Sequence, residues 1–264
     1  MKFKVEKNVI SELYVNNQNI IFPWGIETAD SSSFFSLEDG VGWRYEIVEE
    51  DYCQGLGSYK YTVVSQMLEG RWKLQGEDRI ENNKIYRIAT LEAETDVFLL
   101  DFVLRYRFNK KFFSKVCIAG KNITHKNSNV YYQYATDELS LFGEKMNIIL
   151  RVNEAETANK MRPELYVRDF NDEWVVHARM IPTYPEKKVI KLCNSWYDTK
   201  PLPKKLNDLL CNNDIIYEYL KYHNERTPYK HFISQKINPN AFPLICLKKG
   251  EKLKWKVEVE IVEK

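Results

Sequence analysis

Period-two alternation runs through this chain and limits what it can fold into. From Leu253 to Val262 the apolar residues Leu253, Trp255, Val257, Val259 and Ile261 alternate with charged ones. From Val97 to Phe108 the residues Phe102, Leu104, Tyr106 and Phe108 share one side, and Asp101, Val103, Arg105 and Arg107 share the other. Successive side chains of a β-strand point to opposite faces, so such runs read as strands. One apolar and one polar face marks a half-solvated antiparallel sheet.

The same pattern predicts strands at Lys2–Glu6, Trp43–Val48, Tyr59–Val64, Lys84–Glu94, Lys115–Ala119 and Val130–Tyr134. It continues at Asn147–Val152, Glu164–Val167, Trp174–Ile181 and Lys188–Cys193. Ala29–Ser36, with three consecutive serines, reads as a surface loop. One segment departs from period two. Over Pro203–Tyr222, Leu206, Leu209, Leu210, Ile216 and Leu220 recur at three- and four-residue spacing, which predicts an amphipathic helix. Strands outnumber helices and do not alternate with them, so a doubly wound fold is excluded. The expected class is all-β: a large antiparallel β-sandwich with one late amphipathic helix. A single domain is expected over residues 1–264, with residues 1–58 open to reading as an N-terminal extension.

Charge narrows the partners. The 39 Lys and Arg nearly balance 37 Asp and Glu, which gives no field for nucleic acid or a membrane surface. The five cysteines form no CxxC pair, so neither a structural zinc site nor a disulfide framework is expected. The N-terminus lacks the apolar core of a signal peptide, and no run is long and apolar enough to span a bilayer. A cytoplasmic location is the expectation. Phosphate-loop, dinucleotide, nucleophile-elbow and zinc-protease motifs are missing, so no cofactor and no metal are expected.

The run Asp101–Phe108, the later strand Val175-Val176-His177-Ala178-Arg179, and the closing strand after Lys249-Gly250-Glu251-Lys252-Leu253 together resemble the galactose-mutarotase-like β-supersandwich superfamily. The resemblance spans the chain from about Tyr59 onwards. It implies a concave sheet that accepts a sugar or polysaccharide, in relatives that include epimerases and lyases.

Several residues are candidates for that site. Arg105 and Arg107 lie two apart on one strand face, and adjacent cations there need either acidic neighbours or an anionic ligand. His177 and Arg179 repeat the arrangement on another strand. Should the two strands be neighbours, these four groups converge on an acidic sugar, with His177 as the proton-exchanging residue. The plainer reading is a solvated, charge-balanced sheet face. In Asn194-Ser195-Trp196-Tyr197-Asp198, Trp196 can stack on a pyranose and Asp198 can accept its hydroxyl hydrogens, or Trp196 can cap the sandwich. Trp24 and Trp72 are weaker candidates of the same kind, and Glu225 is a candidate carboxylate beside Arg226. The expected function is carbohydrate binding or processing. The alternative is an interaction protein that binds another protein through an exposed sheet or edge.

Overall fold

The computed structural model describes residues 1–30, 33–68, 70–126, 131–157, 161–182, 191–193, 240–242 and 244–264, with single positions at 205, 209 and 213. Its strands, in chain order, begin with β1 (Lys2–Glu6), β2 (Val9–Val15), β3 (Gln18–Asn19), β4 (Gly25–Ala29), β5 (Phe34–Ser36) and β6 (Gly42–Trp43). Then come β7 (Glu46–Gly55), β8 (Ser58–Met67), β9 (Gly70–Glu81), β10 (Lys84–Ala93), β11 (Val97–Leu99) and β12 (Asp101–Asn109). They continue with β13 (Lys115–Ile118), β14 (Lys121–Thr124), β15 (Tyr131–Tyr134), β16 (Glu138–Phe142), β17 (Met146–Glu156) and β18 (Met161–Phe170). The last are β19 (Glu173–Pro182), β20 (Lys191–Cys193), β21 (Asn240–Phe242), β22 (Ile245–Leu247) and β23 (Lys252–Glu263).

Two large antiparallel sheets carry the architecture. One has nine strands in the order β14-β13-β16-β17-β23-β10-β9-β8-β7. The other has seven, in the order β15-β18-β19-β12-β4-β5-β6. The alternation read from sequence decides which side chains fill the space between them. From the nine-stranded sheet come Leu253, Trp255, Val257, Val259 and Ile261; from the seven-stranded sheet come Phe102, Leu104, Tyr106, Phe108, Val176, Ala178 and Met180. All are 3% exposed or less. Buried indole N–H groups find partners across or along the sandwich. Trp255 donates to the Phe102 carbonyl at 3.2 Å, and Trp174 to the Phe113 carbonyl at 2.8 Å.

Four local expectations need correction or a boundary. Ala29–Ser36 is not a surface loop: Phe34–Ser36 is a strand paired to β4, and Asp30 and Ser33 are buried. Trp43–Val48 is not one strand, because Arg44 takes a φ of 56° and separates β6 from β7. Trp24 and Trp72 are fully buried core residues rather than sugar platforms. The helix expected over Pro203–Tyr222 lies outside the described residues except at Lys205, Leu209 and Asn213. Residues 1–58 supply strands to both large sheets, and Val9, Ile10 and Leu13 join the common core. Among the described residues no helix is long and apolar enough to cross a membrane.

One charged pair sits inside this apolar interior. Arg87 of β10 and Asp78 of β9 face each other in register and are 1% and 2% exposed. The guanidinium Nε donates to Asp78 at 2.8 Å, and Nη1 reaches across to the carbonyls of Arg105 at 3.2 Å and Gly25 at 3.4 Å. The rings of Tyr106 and Trp24 lie 5.1 and 5.6 Å from it. Burial pushes the Asp78 carboxyl upward. Burial also works against the Arg87 charge, but Asp78 and the nearby tyrosines more than offset it.

Removing one member of such a pair strands a buried charge. Asp78→Ala should therefore cost about 3–5 kcal/mol of stability in urea unfolding. The double variant Asp78→Leu/Arg87→Met should recover most of that loss. An Asp78→Ala protein as stable as the parent would show that the pair does not hold the sheets together.

Candidate functional site

The outward face of the seven-stranded sheet is built from the residues that the core rejects. In β12 these are Asp101, Val103, Arg105 and Arg107, because the alternate residues are buried between the sheets. β19 runs antiparallel beside it and sets His177 opposite Arg105, Arg179 opposite Val103, and Val175 opposite Arg107. β18 follows with Tyr166 opposite His177 and Arg168 opposite Val175. On the other flank β4 sets Gly25 beside Arg105 and Glu27 beside Val103. The four groups Arg105, Arg107, His177 and Arg179 therefore do share one sheet and one face.

Three of them line a cleft of about 250 Å³, together with Glu38, Val41, Tyr166, Arg168, Phe170, Glu173 and Val175. Arg179 is not among the lining residues. It is buried against Asp101, with Nε and Nη2 at 2.7 and 2.6 Å from one carboxylate oxygen. Trp196, Asp198 and Glu225 lie outside the described residues.

Carboxylates that the sequence did not flag compensate the arginines. Arg105 is paired with Glu27 at 2.6 Å and with Glu38. Arg107 takes Glu173 through two contacts, at 2.5 and 3.1 Å, and Glu38 at 3.6 Å. Glu38 thus bridges the two guanidinium groups. It comes from the loop after β5, which Leu37 ties down by donating to the Ile26 carbonyl at 2.9 Å. Gly25 leaves space for the Arg105 side chain. A Cβ there would lie 3.4 Å from Nε and Nη2. Burial raises the carboxyls of Glu27 and Asp101, against the pull of Arg105 and Arg179 respectively.

His177 is the one imidazole of the cleft. Its Nε2 lies 3.1 Å from the Tyr166 hydroxyl, and the two rings are 4.2 Å apart. Burial, reinforced by the positive charges of Arg105, Arg179 and Arg168, holds it well below its ordinary pKa of 6.5. The ring is therefore neutral at physiological pH and keeps a lone pair. On the apolar side, Arg168 stacks over Phe170 with its guanidinium carbon 4.0 Å from the ring centre. Tyr166, Arg168 and Phe170 extend the alternation of Glu164–Val167 and were open to detection from it. Glu27 and Glu38 were not, because nothing in their local sequence points to Arg105. Among the described residues no cluster of three or more His, Cys, Asp or Glu is placed to hold a metal ion.

The sign of the pH response follows from the depressed pKa of His177. Above pH 6.5 both the native and unfolded chains hold this imidazole neutral. Below it the unfolded chain gains a proton that the native state refuses, so stability falls with pH. Glu27 and Asp101, with raised values, act in the opposite sense. The informative quantity is therefore the difference between the parent and His177→Gln. That difference should shift by up to about 1.4 kcal/mol per pH unit between about pH 6 and about pH 5, with the variant losing less stability on acidification. Parallel curves in chemical unfolding would mean that His177 is protonated in the native state.

No protein-family model matches the chain, and no curated protein matches it. Solved structures do. A galactose mutarotase related enzyme from Lactobacillus acidophilus aligns over 98% of this chain and 96% of its own, with a TM-score of 0.52 and 6% identity. A galactose mutarotase-like protein from Lactobacillus casei covers 97% and 95%, with a TM-score of 0.48 and 8% identity. Identities this low carry information about architecture alone. The alignment takes in the N-terminal strands as well as the region from Tyr59 onwards. The chain has the β-supersandwich fold of the galactose-mutarotase-like proteins.

Proposed function

We propose that the cleft over β12, β18 and β19 binds a single neutral sugar ring. The observation that carries this reading is the charge compensation inside the cleft. Arg105 and Arg107 are set among Glu27, Glu38 and Glu173. An acidic sugar would have to compete with three carboxylates for Arg105 and Arg107, while Arg168, the third arginine of the cleft, stacks over Phe170. A neutral sugar has hydroxyls that both donate and accept, which suits a surface of alternating fixed donors and acceptors. The volume of about 250 Å³ is below the usual range of small-molecule sites, so it favours one ring over a chain of them. Tyr166, Val175 and Phe170 offer apolar surface for the C–H face of the ring. The fold likeness to a galactose mutarotase related enzyme agrees with a sugar ligand.

His177 is the candidate proton acceptor of the cleft, a base weakened by its burial and by the cations around it. Its imidazole is neutral and faces the cleft, whereas Glu38 and Glu173 are each paired with arginine. A base beside a ring hydroxyl, with Arg105 on the adjacent strand to stabilise developing negative charge, is the arrangement that an isomerase needs.

A thermal-shift series with neutral aldoses and ketoses and with the matching uronic acids tests the ligand. A neutral sugar at about a hundredfold excess over its dissociation constant should stabilise the protein by about 2.7 kcal/mol. The uronic acids should give less, and Arg107→Ala should weaken the neutral ligand by about tenfold. Stabilisation by uronic acids alone, or by no sugar, would overturn the reading. Polarimetry on the sugar that binds then separates binding from turnover. Any interconversion should disappear in His177→Gln while the thermal shift remains.

A further inference from the structure

The nine-stranded sheet ends on β7, far in sheet order from the core strands β10 and β23. Among the described residues β7 pairs only with β8, so its outer edge is open. Nine of its ten residues are exposed, and Tyr52 is partly buried against the core. The strand contains four acids, Glu46, Glu49, Glu50 and Asp51, and neither Lys nor Arg. After the bulge between Ile47 and Glu49 the pairing with β8 is regular to Gly55. Glu49 and Asp51 then share one face, and Glu50 lies on the other with Tyr52, whose hydroxyl donates to it at 3.2 Å. The nearest cation to Glu49 is Arg71 of β9, at 3.8 Å. Ile47 and Val48 remain 39% and 43% exposed at the start of the strand.

An open edge presents unpaired N–H and C=O groups to any extended chain. Proteins blunt such edges with short strands, lysines, prolines or inward charges. β7 is long and lacks Lys, Arg and Pro; its protection is confined to the bulge at Ile47/Glu49 near its start and to Glu50 on the face of Tyr52. Its acids do block one occupant: a second β7 would set like charges opposite each other. The same acids favour a cationic strand, because cations on either of its faces meet a carboxylate. We infer that the open edge of β7 takes up an extended, Lys- and Arg-rich segment of a protein partner as an added strand. Backbone pairing supplies the affinity and the alternating cations supply the selection. The surface belongs to the other sheet from the sugar cleft and does not depend on it.

The test uses the whole protein and a labelled peptide of alternating Lys and Val, about eight residues long to match the strand. Fluorescence anisotropy should show saturable binding. Charge reversal at exposed positions, Glu49→Lys/Glu50→Lys/Asp51→Lys, should weaken it by at least about tenfold, as should N-methylation of alternate peptide amides at unchanged charge. Unfolding midpoints of the variant close to the parent would show that the loss is not one of folding. Three results would each overturn the inference. The first is no saturable binding. The second is equal binding of the N-methylated peptide, which would reduce the effect to charge attraction. The third is a dimer in sedimentation velocity that the charge reversal abolishes, which would assign the edge to a second copy of this chain.

Discussion

The buried ion pair between Arg87 and Asp78 links the two sheets of this protein. Arg87 and Asp78 lie in the apolar interior, where an unsatisfied charge is not tolerated. The pair belongs to one sheet, yet the guanidinium also needs the carbonyls of Gly25 and Arg105 in the other. A slide of one sheet over the other would break these contacts and leave a buried donor without a partner. Apolar contacts alone are less selective, since Leu, Val and Ile can repack at modest cost. Gly76 answers to the same geometry. The Tyr61 ring lies where its Cβ would be, at 2.2 Å, so the strand next to Arg87 has no side chain there.

The candidate cleft inherits this constraint. The two carbonyls that receive Arg87 belong to Gly25 and Arg105, neighbours on β4 and β12 directly beneath the cleft. The side chain of Arg105 then leaves on the opposite face, over the space that Gly25 keeps open. Position in the core and position in the cleft are thus two sides of the same residues. Once Arg105 is placed, the antiparallel register puts His177 and Tyr166 in one row with it, and Glu38 closes the row from a loop. The surface that results is polar and charge-compensated, and it surrounds a histidine kept neutral by burial and, secondarily, by its cationic neighbours.

The two sheets differ in what they expose. The seven-stranded sheet folds its charges into pairs on one face, many of them half-buried or buried. The nine-stranded sheet ends in a strand whose charges are unbalanced and open to solvent. Compensated charge suits recognition through fixed hydrogen bonds, and uncompensated charge suits attraction of an oppositely charged chain.

Much of the architecture was legible in the residues because a period of two is a direct record of burial. Phe102 to Phe108, Val176 to Met180 and Leu253 to Ile261 declared their inward faces, and with them Arg105, Arg107 and His177 as outward ones. Local sequence could not say which strand lies beside which, since pairing joins segments remote along the chain. Arg105 meets His177 and Glu38 only through such pairing and a loop that it orders. The same limit explains Trp24 and Trp72, whose setting near Pro and Gly suggested exposed platforms and whose rings fill the core. Sequence determined the strands and their two faces, because each residue carries its own preference for water or oil. Tertiary structure decided the cleft, because a site is made of neighbours, and neighbours are set by register.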